Sequence, residues 1–133
     1  MSKKVKVLFI HHGVGWGGAS ISLIQMIDNL DRANFEPFVL LLKDSIVGKR
    51  LSDKNIEYSV AESVFYKKYY RYFLHSEAGH IKLYQVIRLA KLIMSWILSR
   101  YYFAGKELRK HTYDIVHLNS SVLTDWLRPA AKK

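Results

Sequence analysis

Val5-Lys6-Val7-Leu8-Phe9-Ile10-His11-His12-Gly13-Val14-Gly15-Trp16-Gly17-Gly18, residues 5–18, decide the fold. A β-branched and aromatic run enters a cluster of glycines, which reads as a buried strand feeding a tight turn. Ser20 or Ser22 is placed to cap the helix that follows, whose apolar positions Leu23, Ile24, Ile27 and Leu30 keep a 3.6-residue period. Asp31 to Asn34 ends it. Phe35 to Lys43 then reads as a second strand with Pro37 near its start, where a missing donor is tolerable. A short polar helix over Ser45–Lys54 and a third strand over Asn55–Val60 come next. Ile81 to Lys110 is a long helical stretch, expected to bend or end near Gly105. Tyr113 to Leu118 is a fourth strand, and Asn119-Ser120-Ser121 offers a cap for a last helix that Pro129 should kink or interrupt. Strands alternating with helices predict an α/β fold: a Rossmann-like parallel sheet with helices on both faces.

The 133 residues fit one domain, 1–133, with a basic aromatic segment, 64–111, inserted before the last strand. Half the chain is hydrophobic and 24% is charged, which excludes disorder and leaves enough apolar material for a core. Cysteine is absent, so disulfides, thiolate nucleophiles and cysteine zinc sites are excluded, and a reducing compartment is the natural setting. A formal charge of +10 calls for an anionic partner. Neither a cleavable signal nor a spanning helix is legible. The best span, Ile81 to Gly105, is broken by Lys82, Arg88, Lys91 and Arg100. Ala130-Ala131-Lys132-Lys133 reads like mid-helix sequence, so the chain is expected to stop inside a fold.

Gly13, Gly15 and Gly18 formally satisfy the G-x-G-x-x-G dinucleotide fingerprint. His11 and His12 delay the turn, Trp16 is bulky within it, and the nearest acid after the second strand, Asp44, comes late. An NAD-binding domain is therefore one alternative, and a flexible turn with no ligand is another.

VLFIHHGVGWGGASISLIQMIDNLDRANFEPFVLLLK (7–43) resembles the opening of GT-B glycosyltransferases of family 4. YDIVHLNSS (113–121), with Asp114, Ile115, Val116 and His117 before Asn119-Ser120-Ser121, resembles that family's fourth-strand signature. The resemblance implies the N-terminal, acceptor-side domain of a retaining, nucleotide-sugar-dependent enzyme of surface polysaccharide or glycolipid synthesis. This would be the incomplete N-terminal half of a GT-B fold. It also implies that Gly17 and Gly18 lie at the interdomain cleft near the donor diphosphate or the transferring sugar. Asn119 and Ser120 would line the same cleft. No cofactor is implied beyond the nucleotide-sugar donor as co-substrate, and no metal. The partners implied are a C-terminal donor-binding domain, or a separate donor subunit in a split enzyme, and a sugar or lipid-linked acceptor. The family's acidic motif and its diphosphate-binding Arg and Lys have no counterpart here, so the chain alone is expected not to transfer sugar, and no catalytic residue is assigned.

His12, beside the glycines, can donate to a phosphate or a sugar hydroxyl, or simply pack at the strand end. As strand neighbours, His11 and His12 should point to opposite faces and not share a metal. His117, inside an apolar strand, reads as a core histidine. The segment 64–111 holds ten Lys and Arg against Glu77 and Glu107, so +8 of the +10 lies there, interleaved with aromatic residues. Basic heads with amphipathic rings suit a bilayer interface, and Lys67, Lys68, Arg71, Tyr69 and Tyr70 are the residues expected to meet an anionic membrane surface. The enzyme would then be cytoplasmic, peripheral to the inner face of the membrane. Two alternatives stay open. Leu83, Ile87, Ala90, Met94 and Ile97 form a stripe at helical spacing that would ordinarily face a core. Aromatic–basic mixtures also stack on nucleic acid, although no helix-turn-helix, zinc-finger or RNP signature supports that partner.

Overall fold

The computed structural model describes residues 3–61 and 83–132. In chain order these form β1 (Val5–His11), α1 (Gly18–Asp28), β2 (Phe35–Leu41), α2 (Ile46–Asp53) and β3 (Tyr58–Val60). Then come α3 (Leu83–Leu98), a π-helical turn (Ser99–Phe103), α4 (Ala104–Leu108), β4 (Ile115–Leu118) and α5 (Thr124–Ala131). All strand pairs are parallel, and the sheet order is β3-β2-β1-β4. This is the Rossmann-like α/β arrangement that the alternation of elements predicts.

The near-continuous apolar run of β1 follows from burial on both sides. Val7 and Phe9 point into one core with Leu23, Ile24 and Ile27 of α1 and Val47 and Leu51 of α2. Leu8 and Ile10 point into the other with Ala104 and Leu108 of α4 and Trp126 of α5. Pro37 is paired with Val7 on one side only, because β3 begins its pairing at Val39. Its missing N–H therefore removes no bond to β3. Asp114, ahead of β4, clamps the start of β1. Its carboxylate accepts from the Lys6 N–H at 2.8 Å, and its own N–H donates to the Lys6 carbonyl at 2.8 Å.

Several local expectations give way. Neither Ser20 nor Ser22 caps α1. Gly17 is the N-cap and offers no side chain, because the chain turns helical directly out of the glycines and leaves Ser20 buried within the first turn. The long helical stretch does not break at Gly105, which lies inside α4. Its irregularity is the π turn from Ser99, whose buried hydroxyl donates to the buried Asp125 carboxylate of α5. An extra residue per turn at this point lets Ser99 face α5, in keeping with the insertion that defines a π-bulge. Asn119-Ser120-Ser121 does not cap the last helix either. Its N-cap is Leu123, with no side-chain bond, and the helix continues through Pro129 to Ala131. Finally, the apolar stripe of α3 does not face a core: Ile87 and Met94 are 60% and 57% exposed, and Ala90 and Ile97 are exposed too.

Candidate functional site

In an open parallel sheet, ligands bind beyond the carboxyl ends of the strands where the strand order reverses. Here that point lies between β1 and β4, whose connections leave to opposite sides. The glycine loop follows β1 and Asn119 follows β4, and the Asn119 N–H donates to the Ile10 carbonyl at 2.9 Å. The two segments singled out in the sequence therefore meet at one edge.

The four glycines of the loop divide into two pairs. Gly13 has φ +73°, and a Cβ there would lie 2.2 Å from the Lys43 carbonyl oxygen. Gly15 has φ +69° with open space around it. Both are required by the left-handed turn, and Gly13 by close approach as well. Gly17 and Gly18 have neither requirement. Gly17 is extended, at φ −149°, and a Cβ on either residue would meet nothing within 4 Å. Both are exposed at the start of α1. The first N–H groups of any helix lack intrahelical partners, and here no side chain of the N-cap takes one up, so they and the positive end of the dipole stand at the exposed glycines.

Beneath the loop runs a chain of buried hydrogen bonds. The Asn119 amide donates to the Ala19 carbonyl at 2.7 Å and to His11 Nδ1 at 3.3 Å. His11 Nε2–H then donates to Ser20 Oγ at 3.1 Å, and Ser20 Oγ–H to the Gly15 carbonyl at 3.1 Å. Acceptance at Nδ1 and donation at Nε2 define a neutral imidazole. Burial is the main reason its pKa falls to about 3; the neighbouring His12 lowers it further, and the backbone of Asn119, as distinct from its side-chain amide, opposes both. This network fixes the loop to α1 and to the end of β4. It uses both amide N–H groups of Asn119, so what Asn119 can offer a ligand is its Oδ1.

His12 is also buried. Its Nδ1 accepts from the Val14 N–H at 2.9 Å, which leaves the proton on Nε2, and burial lowers its pKa. The expectation that the two histidines point to opposite faces does not hold, since their ring centroids are 4.2 Å apart. Strand geometry ends at His11, so His12 no longer alternates. Ser120 is half-buried and forms a turn, accepting from the Val122 N–H at 3.4 Å and, through its carbonyl, from the Leu123 N–H at 3.2 Å. His117 stacks against Phe9, its neighbour across the sheet, with centroids 5.2 Å apart. Among the described residues no three His, Asp or Glu side chains converge as metal ligands would.

One side chain at this edge, Arg50, was not read from the sequence. Trp16 is 44% exposed, and the Arg50 guanidinium of α2 lies 5.4 Å from its ring centroid. Arg50 thus puts a cation beside the glycine loop. No local signal marks it, because only the folding of α2 onto the sheet brings it to the loop.

Lys67, Lys68, Tyr69, Tyr70 and Arg71 lie outside the described residues. Within the rest of the 64–111 segment, Ile87, Leu89, Ile93 and Leu98 of α3 are exposed, and so are Tyr101 and Tyr102. No helix among the described residues is long and apolar enough to cross a membrane. No protein-family model, curated protein or solved structure matches the chain.

Proposed function

We propose that this chain is the acceptor-side domain of a retaining, nucleotide-sugar-dependent glycosyltransferase of the GT-B type. It works with a donor-binding domain or a separate donor subunit on a lipid-linked or polysaccharide acceptor. The observation that carries the reading is the pair Gly17 and Gly18. They stand at the uncapped N-terminus of α1, beside the point where the strand order reverses, and nothing inside the fold requires glycine at either. Glycine there is explained by a ligand that approaches the backbone. Free N–H groups and a positive helix end suit a diphosphate or a sugar hydroxyl. His12 Nε2–H, Asn119 Oδ1 and the Ser120 turn supply further polar groups at this edge of the sheet. Arg50 adds positive charge beside it.

The same reading places the protein against the inner face of a membrane. Its support is the basic aromatic composition of 64–111 and the exposed apolar side chains of α3. Interfacial helices bury such a face at headgroup depth while basic residues attract anionic lipid.

The test is Gly18→Val in the native gene product, assayed for transfer of labelled sugar from sugar nucleotides to a membrane extract. Valine at 18 has open space, so thermal stability should stay within about 1 kcal/mol of wild type. Transfer should be lost. Full transfer by the variant would sink the reading, and protection of the wild type by NAD(H) in place of sugar nucleotides would replace it with the dinucleotide alternative. For the membrane face, charge reversal at Lys67, Lys68 and Arg71 should abolish sedimentation with anionic vesicles. Indifference of the wild type to such vesicles would remove that part.

A further inference from the structure

A cavity of about 460 Å³ opens between the π turn, α4 and the C-terminal end of α5. Arg100, Arg109, Arg128 and Lys132 line it together with Tyr101 and Tyr113, and among the described residues no acid does. Tyr113 precedes β4 while Asn119 follows it, so the cavity lies at the opposite end of that strand from the glycine loop. At a strand rise of roughly 3.3 Å per residue the two are on the order of 20 Å apart.

Four cations in one cavity need an account. None of them makes an ion pair with a described residue. Two buried acids stand near these cations: Glu107 is engaged with Lys110 Nζ at 3.0 Å and His111 Nε2 at 3.9 Å, and Asp125 accepts from the Ser99 hydroxyl. Two helix ends contribute: α4 finishes at Arg109 and α5 at Lys132, and each C-terminus carries roughly −0.5 elementary charge. Together they offset about one of the four charges, and the buried Asp125 carboxylate one turn before Arg128 offsets about one more, so among the described residues an excess of about two remains. Two of the guanidinium groups are also held in place. Arg128 lies 4.3 Å from the Tyr101 ring centroid; Arg100 lies 5.0 Å from that of Trp96 and donates to the Thr124 carbonyl at 3.3 Å. Fixed guanidinium planes match the oxygens of phosphate with two parallel N–H bonds, which lysines in free solution do not.

We infer that this cavity is a binding site for a phosphomonoester or diphosphate group, with Arg128, held against Tyr101, and Arg109 among its donors and the two tyrosines as walls for the organic part of the ligand. The site does not depend on the sugar-transfer reading, since it shares no residue with the glycine loop. The group can arrive on a soluble metabolite or on a lipid headgroup, and the chemistry that holds it is the same.

The experiment uses the full chain and the double variant Arg109→Gln/Arg128→Gln. A charge-matched control, Arg32→Gln/Lys49→Gln, removes the same charge outside the cavity. Melting temperature is followed against inorganic pyrophosphate, and sedimentation against phosphatidylcholine vesicles with and without phosphatidic acid. Each charge-assisted contact supports about a tenfold change in affinity or more, so the cavity variant should bind at least about tenfold more weakly than wild type and control alike. Loss of pyrophosphate binding alone assigns the site to a soluble phosphate compound; loss of phosphatidic acid vesicles alone assigns it to a headgroup. The inference is overturned if the cavity variant binds both probes as wild type does, if the control loses as much, or if the wild type binds neither.

Discussion

Gly13 and Gly15 stand a few residues from Gly17 and Gly18 in the same loop, yet the two pairs answer to different constraints. The first pair is explained from within. Its φ values lie in the left-handed region, and Gly13 also presses against the backbone of Lys43. The second pair has ordinary backbone and open space. A glycine cluster read as a motif treats all four as one signal. The structure separates those the chain needs in order to turn from those it can do without, and only the latter point outward to a ligand.

The comparison is broken most directly at Gly13. Alanine there adds left-handed strain of about 1–2 kcal/mol, and a clash with a carbonyl oxygen that the neighbouring backbone must relieve. Gly13→Ala should lose on the order of 3 kcal/mol in urea unfolding, a large part of the stability of an ordinary domain. A loss under about 1 kcal/mol would show that the loop is not held as described.

The histidine beneath the loop gives the next effect. His11 binds a proton near pH 6.5 when unfolded but only near pH 3 when folded. Between these values the unfolded state holds more protons, so stability rises with pH and is lost as pH falls through the window. One group contributes at most about 1.4 kcal/mol per pH unit. His12 and His111 are shifted downward too, chiefly by burial, and act in the same direction. His11→Gln should flatten the slope between about pH 5 and 6.5, above the range where carboxylates titrate. An unchanged slope would remove His11 as its source. Ser20→Ala comes after it: the His11 Nε2–H and the Gly15 carbonyl each lose a partner, at a cost of about 1–3 kcal/mol.

Much of this was legible in advance, for physical reasons that differ by region. Periodicity of burial fixed the parallel sheet, because β1 is apolar on both faces and α1 on one. Conformational chemistry marked the turn at Gly13. What remained hidden depends on contacts between distant segments. Asn119 looked like a cap for the helix after it, yet its side chain reaches back to Ala19 and His11. Ser20 looked like a cap and serves as a link between His11 and Gly15. Arg50 carried no signal at all. The α3 stripe shows the limit of periodicity, which reveals that a helix has an apolar face without saying what covers it. Ile87 and Met94 face outward here.

The smallest expected effect on stability is the most informative. Gly18 is the first residue of α1, and its added Cβ meets nothing within 4 Å. Alanine is a better helix former than glycine by about 1 kcal/mol in a helix interior, and by less at an end. Gly18→Ala should therefore leave the free energy of unfolding unchanged or raise it by up to about 0.5 kcal/mol. A substitution that is neutral or favourable for folding removes the internal case for glycine at this position. Ligand binding measured on the same variant then reports on the loop's outer surface alone, free of the destabilisation that confounds Gly13. If Gly18→Ala instead destabilises the chain as Gly13→Ala does, the two pairs are alike. The loop is then a structural turn throughout, and the reading of its outer half as a ligand edge falls with the distinction.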